Sequence, residues 1–242
     1  EKNTGLCIAG LRIDGGGWVR PISSDMSSKG ALFPKHYHMG DDGEPEIFDI
    51  LEIDCVRKEF QFHQPENWLI SERQWKLIGR INPNLVKAVL VPEVKKNSKT
   101  QEIFRNCSKT VSWESLKNHP IQSSLAYVKP TSIQWVMNSY YEQRKCRAKF
   151  QLNNIWYDFP ITDPYWKGLM CNAVTHDGVY SSDDLIRALE QNNLTDGINF
   201  ENDGFLFTLS LGEPFSPSGS QQECYKLIAS VTNRAEIRHI VQ

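Results

Sequence analysis

The chain has 242 residues (27.8 kDa), of which 40% are apolar and 23% charged, and a formal net charge of −2. That length suits one large domain or two small ones. Folded chains of this size bury about 70–75% of their unfolded surface, so a core needs no disulfide or metal. No apolar run approaches the roughly 18 residues of a spanning helix, so an integral membrane protein is excluded, and so by composition are a disordered tail, a coiled coil and a disulfide scaffold.

The small net charge hides an asymmetry. Residues 1–149 carry 22 Lys and Arg against 17 Asp and Glu, and residues 150–242 carry 5 against 12. A split of this kind favours a cationic face on a near-neutral body over a uniformly basic coat.

In chain order, Leu6–Ile13 is rich in strand formers and runs into Asp14-Gly15-Gly16-Gly17, a turn signal. Trp18–Ile22 follows at once, so a hairpin is expected. Pro21, without an N–H, belongs at an edge or a strand end. Residues 23–46 read as a long surface loop, and 47–62 as one bent strand or two. Ser71 with Gln74 makes a capping-box pattern, and Trp75 and Ile78 give a helical stripe, so a helix is expected over 71–80. Val86–Val91 reads as a short strand. Residues 92–110, with Lys95, Lys96, Lys99, Arg105 and Lys109, read as an inter-domain loop.

The second half begins with a strand over 125–137, kinked at Pro130. Segments 144–152 and 155–159 flank Asn153-Asn154, a two-residue turn suited to positive φ, which predicts a second hairpin. Ser182 is the expected cap of a helix over 183–191. Segments 205–211 and 225–232 form a closing strand pair. Many short strands with few helices indicate a mainly β chain, and the expected architecture is two tandem small barrels of OB type with short inserted helices, at about 1–115 and 116–242.

Chemistry is sparse. Cys7, Cys55, Cys107, Cys146, Cys171 and Cys224 form no Cys-x-x-Cys pair or zinc-knuckle spacing, so a reduced, cytoplasmic protein is expected. His36 and His38 beside Asp41 and Asp42 lack a third ligand at a standard spacing, so neither a metal nor another cofactor is expected. No phosphate-cradling loop, nucleophile elbow or zinc-protease helix occurs. The chain therefore reads as a non-enzyme.

Binding patterns are stronger. Residues two apart in a strand share a face, which places Lys145, Arg147 and Lys149 on one side of the second hairpin and Cys146, Ala148, Phe150 and Leu152 on the other. The cations then recur every 6.5–7 Å or so, close to the phosphate repeat of an extended single strand, and the nearby rings of Trp135 and Tyr141 are candidates for base stacking. Trp18 and Arg20 share a face of the first hairpin and make a second candidate, for gripping a phosphate or a base.

The opening Gly5-Leu6-Cys7-Ile8-Ala9-Gly10, followed by Gly17-Trp18-Val19-Arg20-Pro21-Ile22-Ser23, resembles the start of the dual OB-containing domain family of bacterial proteins. Leu209-Ser210-Leu211-Gly212-Glu213-Pro214-Phe215 and Tyr225-Lys226-Leu227-Ile228-Ala229 resemble its final strands. Members often carry one more strand before the first segment, which is not seen here. The resemblance implies two OB barrels, nucleic-acid binding and, for some members, defence against phage; it implies no catalytic residues. The expected function is a nucleic-acid-binding module for single-stranded or structured DNA or RNA. Its rivals are a protein-interaction module that recruits an enzyme partner and a receptor for a small nucleotide or modified base. No membrane partner is expected.

Overall fold

The computed structural model describes residues 5–25, 30–98, 102–141, 143–195, 198, 204–216, 219 and 221–233. It is strand-rich, with curled sheets, as the patterning predicts. Among the described residues no helix is long and apolar enough to cross a membrane.

The first half holds β1 (Gly10–Leu11), β2 (Trp18–Ile22), α1 (Pro34–Tyr37), β3 (Asp49–Glu52), β4 (Cys55–Lys58), β5 (Asn67–Ile70) and β6 (Lys76–Arg80). The predicted first hairpin forms, with Gly10 opposite Val19 and Leu11 opposite Trp18. β2 also pairs in parallel with β5, giving the sheet order β1-β2-β5-β4, while β3 and β6 form a separate two-stranded ribbon. Pro21 falls beyond the reach of β1, where its missing N–H leaves nothing unpaired on that side.

Two expectations for this half are overturned. The segment predicted as a helix over 71–80 is strand β6, because pairing with β3 outweighs the helical stripe: Lys76 faces Glu52 at 2.5 Å, Arg80 reaches Glu46 at 2.8 Å, and Ile78 is left exposed. The stretch read as a surface loop supplies Leu32, Tyr37 and Met39, which pack with Ile70 and Trp75 as the core of this half.

A helical segment then runs from α2 (Pro83–Leu85) through a π-helical turn (Val86–Leu90) into α3 (Val91–Ser98). The strand expected at 86–91 is therefore helix, and helix also takes residues 92–98 of the expected loop; Lys99 lies outside the described residues. The Asn82 side chain accepts from the Asn84 and Leu85 amides, and Pro83 occupies the first turn, a start signal that the apolar run masks. Val86, Leu90 and Val94 recur at a spacing of four and are buried.

The second half contains β7 (Thr110–Ser112), α4 (Trp113–Asn118), β8 (Leu125–Val128), β9 (Ser132–Tyr140), β10 (Gln143–Leu152), β11 (Ile155–Pro160), α5 (Pro164–Ala173), β12 (Gly178–Ser181), α6 (Ser182–Gln191), β13 (Leu206–Phe215) and β14 (Glu223–Thr232). Two four-stranded sheets form, in the orders β11-β10-β9-β12 and β7-β14-β13-β8. A parallel bridge between Ile161 and Ile228 joins them and curls them around one core. Since β7 pairs with β14, the second sheet system begins at Thr110. The break between β8 and β9 falls at the predicted kink, and the Asn153-Asn154 turn has φ of 48° and 64°, as its sequence requires. α6 begins one residue earlier than expected, capped by Ser181. α5 was not anticipated, although Asp163 followed by Pro164 marks its start; Asp163 accepts from the Trp166 amide and also from Val231 on β14, at 3.1 and 2.9 Å.

Aromatic rings fill this core. Trp135 contacts Trp166, Phe205 and Phe207 at centroid distances of 5.2, 5.2 and 5.8 Å, and Phe150 packs on Phe159 and Phe207. The fully buried ammonium of Lys226 donates to the carbonyls of Ile103 and Asn106 and to Asn106 Oδ1 at 2.5–2.7 Å, tying the loop ahead of β7 to β14. Burial pulls its pKa down to about 8, so it remains charged at neutral pH.

A buried polar cluster joins the halves. Arg20 Nη2 lies 3.3 Å from Glu66 Oε1 and donates to Ser124 Oγ at 2.9 Å and Ser210 Oγ at 3.2 Å. Glu66 accepts from the Ser124 amide at 3.0 Å and from its hydroxyl. Removing one member of a buried ion pair leaves the other charge unpaired in a dry site. Arg20→Met should therefore destabilise the chain by about 3–5 kcal/mol in urea unfolding, while Arg12→Met, in an exposed pair with Asp14, should change stability far less. Equal effects would mean that the cluster does not hold the halves together.

Candidate nucleic-acid interface

The outward face of the β11-β10-β9-β12 sheet is built by alternation along β10. Cys146, Ala148, Phe150 and Leu152 are buried, Lys145 and Lys149 are exposed, and Arg147 is half-buried. Register fixes what lies beside them: Lys145 is opposite Asn138, Lys149 is opposite Gln134 and Asp158, and Gln151 is opposite Trp156. Tyr140 sits opposite Gln143 at one end of the row and Trp156 stands at the other, both exposed. Eight residues of strand separate these ends, a span of about 27 Å.

The cations are not equivalent. Lys149 has no charged or hydrogen-bonding partner among the described residues. Lys145 lies with Nζ 4.8 Å from the centre of the Tyr140 ring, a cation–π contact that leaves its charge open to a ligand. Arg147 is engaged: its Nε donates to Asp158 Oδ1 at 2.8 Å and its Nη2 to the Asp158 carbonyl at 2.9 Å, while Lys109 approaches Asp158 Oδ2 at 3.2 Å. The Lys109–Asp158–Arg147 cluster carries one net positive charge. Tyr141, just past β9, is 84% exposed and edge-on to Tyr140 at 4.5 Å. Asp177 stands near this end, where it accepts from the Ser139 amide and hydroxyl at 2.8 Å.

Trp135 is not on this face. It has no exposed surface and its Nε1 donates to Ser182 Oγ, so the same alternation that turns the lysines outward puts this ring in the core. Trp18 and Arg20 do share a face, but it is turned inward against the second half. The Trp18 ring packs on Tyr127 at 5.1 Å and its Nε1 donates to Glu93, and Arg20 belongs to the buried cluster. A guanidinium whose charge is met by Glu66 has little left for a phosphate. Both residues line a cleft of about 730 Å³ between the halves, walled also by Ile8, Phe48 and Thr208.

Among the described residues no group of three or more His, Cys, Asp or Glu is placed to hold an ion, and the Nδ1 atoms of His36 and His38 accept from the Phe33 and Gly40 amides.

Sequence reasoning missed Lys109 and Asp158. Asp158 was within its reach: a two-residue turn pairs Leu152 with Ile155, which sets Lys149 beside Asp158. Lys109 was not, because only the tertiary fold brings it to β11. Burial works to raise the Asp158 carboxyl, and the bonds from Arg147 and Lys109 outweigh it and leave the group below its usual range. Arg147→Gln should therefore move the Asp158 titration midpoint upward, as read by carboxyl-carbon NMR; an unmoved midpoint would mean that the pair does not form in solution.

No curated protein and no solved structure matches the chain. A family model, that of the dual OB-containing domain, matches residues 1–231. The match runs from the first hairpin through the closing β13–β14 pair and takes in both halves of the fold. With two strand-rich halves, curled sheets and a match over nearly its whole length, the chain belongs to the dual OB-containing domain family.

Proposed function

We propose that this chain is a non-catalytic module that binds single-stranded nucleic acid on the outer face of the β11-β10-β9-β12 sheet. The observation that carries the reading is the row on β10: Lys145 and Lys149 exposed, Arg147 between them, and exposed rings at both ends. Cations on a rigid strand hold phosphates, and rings with free faces stack bases whatever their sequence. Membership of an OB family is compatible with this and does not by itself supply it, because OB barrels also bind sugars and proteins.

In this reading Lys145 and Lys149 contact the backbone directly. Arg147 and Lys109 contribute through a cluster that Asp158 half-neutralises, and Tyr140, Tyr141 and Trp156 stack. Fluorescence anisotropy with labelled DNA and RNA single strands and a duplex, across a salt series, tests it. Wild type should prefer the single strands. Lys145→Glu with Lys149→Glu should weaken binding at least tenfold and reduce the salt slope by about 1.4, from two lost phosphate contacts at about 0.7 each. Trp156→Ala should cost about 1–3 kcal/mol. Unchanged affinity in the double variant would overturn this interface.

The cleft between the halves favours a second reading, a receptor for a small ligand, since about 730 Å³ lies within the usual size of such sites. An ultraviolet-absorbing compound that co-purifies with the chain and is released on unfolding would support it, and a ligand-free spectrum together with single-strand binding would leave the sheet face as the site.

A further inference from the structure

The buried side of β10 holds a feature the binding reading does not use. Cys146, between Lys145 and Arg147, points inward, and its Sγ lies 3.8 Å from that of Cys171 on α5. The two are 25 positions apart in the chain and meet only because α5 packs back against β10. Cys146 is buried and Cys171 half-buried, so solvent reaches the pair from the Cys171 side. The Cys146 thiol donates weakly to the Lys167 carbonyl at 3.9 Å and lies 3.3 Å from Met137 Sδ. Arg144 holds the Cys171 backbone: its Nη1 donates to the Cys171 carbonyl at 2.6 Å, and its Nη2 is buried without a hydrogen-bond partner among the described residues. A spare donor on the guanidinium that grips this residue's carbonyl can turn to an oxygen attached to its sulfur.

We propose that Cys146 and Cys171 form a redox-active dithiol, which a hydroperoxide converts to a disulfide clamping α5 to β10. In the first step the Cys171 sulfur attacks the peroxide, which is reduced as its O–O bond breaks, giving the Cys171 sulfenic acid and one water or alcohol. In the second the Cys146 sulfur attacks the sulfenic sulfur. The S–S bond forms, the S–O bond breaks, and hydroxide leaves as water with the proton given up by Cys146. The sulfurs must close from 3.8 Å to about 2.0 Å.

The order of events follows from access. Burial, followed by the neighbouring Cys171 thiol, pushes the Cys146 thiol up to about 12, against the pull of Lys167 and Arg144. Cys146 therefore waits as a protonated resolving thiol while Cys171 meets the oxidant. Arg144 is a positioning residue for the Cys171 oxygen. The cross-link would fix the back of the strand whose front carries Lys145 and Lys149, and it is independent of whether that front binds nucleic acid.

The test treats the reduced 242-residue chain with stoichiometric hydrogen peroxide, then alkylates and maps it by mass spectrometry. The intact mass should fall by about 2 Da, two of the six thiols should escape alkylation, and one peptide pair should join Cys146 to Cys171. In Cys146→Ala a dione probe should label Cys171 as its sulfenic acid, and Cys171→Ala should show neither label nor cross-link. Arg144→Gln should slow closure several-fold at unchanged thermal midpoint. Six alkylated thiols after peroxide, a cross-link that maps to Cys7 or Cys107, or a disulfide between two chains would each overturn the proposal, and the wild-type map decides the matter even where a variant fails to fold.

Discussion

The contact on which the arrangement of the two halves depends is the buried charge pair of Arg20 and Glu66. Each charge would be prohibitively expensive alone in that site; the two meet within the first half, and the hydrogen bonds of Arg20 to Ser124 and Ser210 and of Glu66 to Ser124 form only when that half is seated on the second. The pair acts as a register pin: with either charge misplaced, the other would sit unpaired in a dry interface. Around it the Trp18–Glu93 and His63–Glu213 contacts, both at 3.0 Å, add further polar links between segments far apart in the chain. The interface between the halves thus joins these polar links to the Trp18–Tyr127 ring contact, while the interior of the second half is specified by aromatic packing.

β10 shows how one strand serves both purposes. Its period of two sends Phe150 into a cage of rings and Lys149 into solvent with no intervening adjustment. The rigidity of the packed side spaces the lysines on the open side. The same strand also presents Cys146 to α5, so the front of the sheet, its core and the thiol pair are mechanically one object.

Legibility in the sequence followed the range of the interaction. The Asn153-Asn154 turn, the alternation of β10 and the closing β13–β14 pair are set by neighbours within a few residues, and all were readable. Segment 71–80 was misread because its helical stripe is real but local, and it yields to pairing with β3 some 25 residues earlier. Segment 86–91 was misread in the opposite sense: its β-branched run suits a strand, yet the Asn82–Pro83 start and the burial of Val86, Leu90 and Val94 make it helix. Of the residues proposed for binding, those on β10 emerged on the surface, whereas Trp18, Arg20 and Trp135 are interior.

By itself the sequence determined the strand-rich class, the two hairpins and the two-faced character of β10, because turn chemistry and side-chain alternation are properties of the local backbone. Its opening and closing motifs also carried the family. Only the tertiary structure decided that Arg20 faces Glu66, that Asp158 gathers Arg147 and Lys109, and that Cys171 meets Cys146. Each of these joins residues from separate elements, and whether a charge or a thiol is free or engaged is fixed by the partner that folding brings to it.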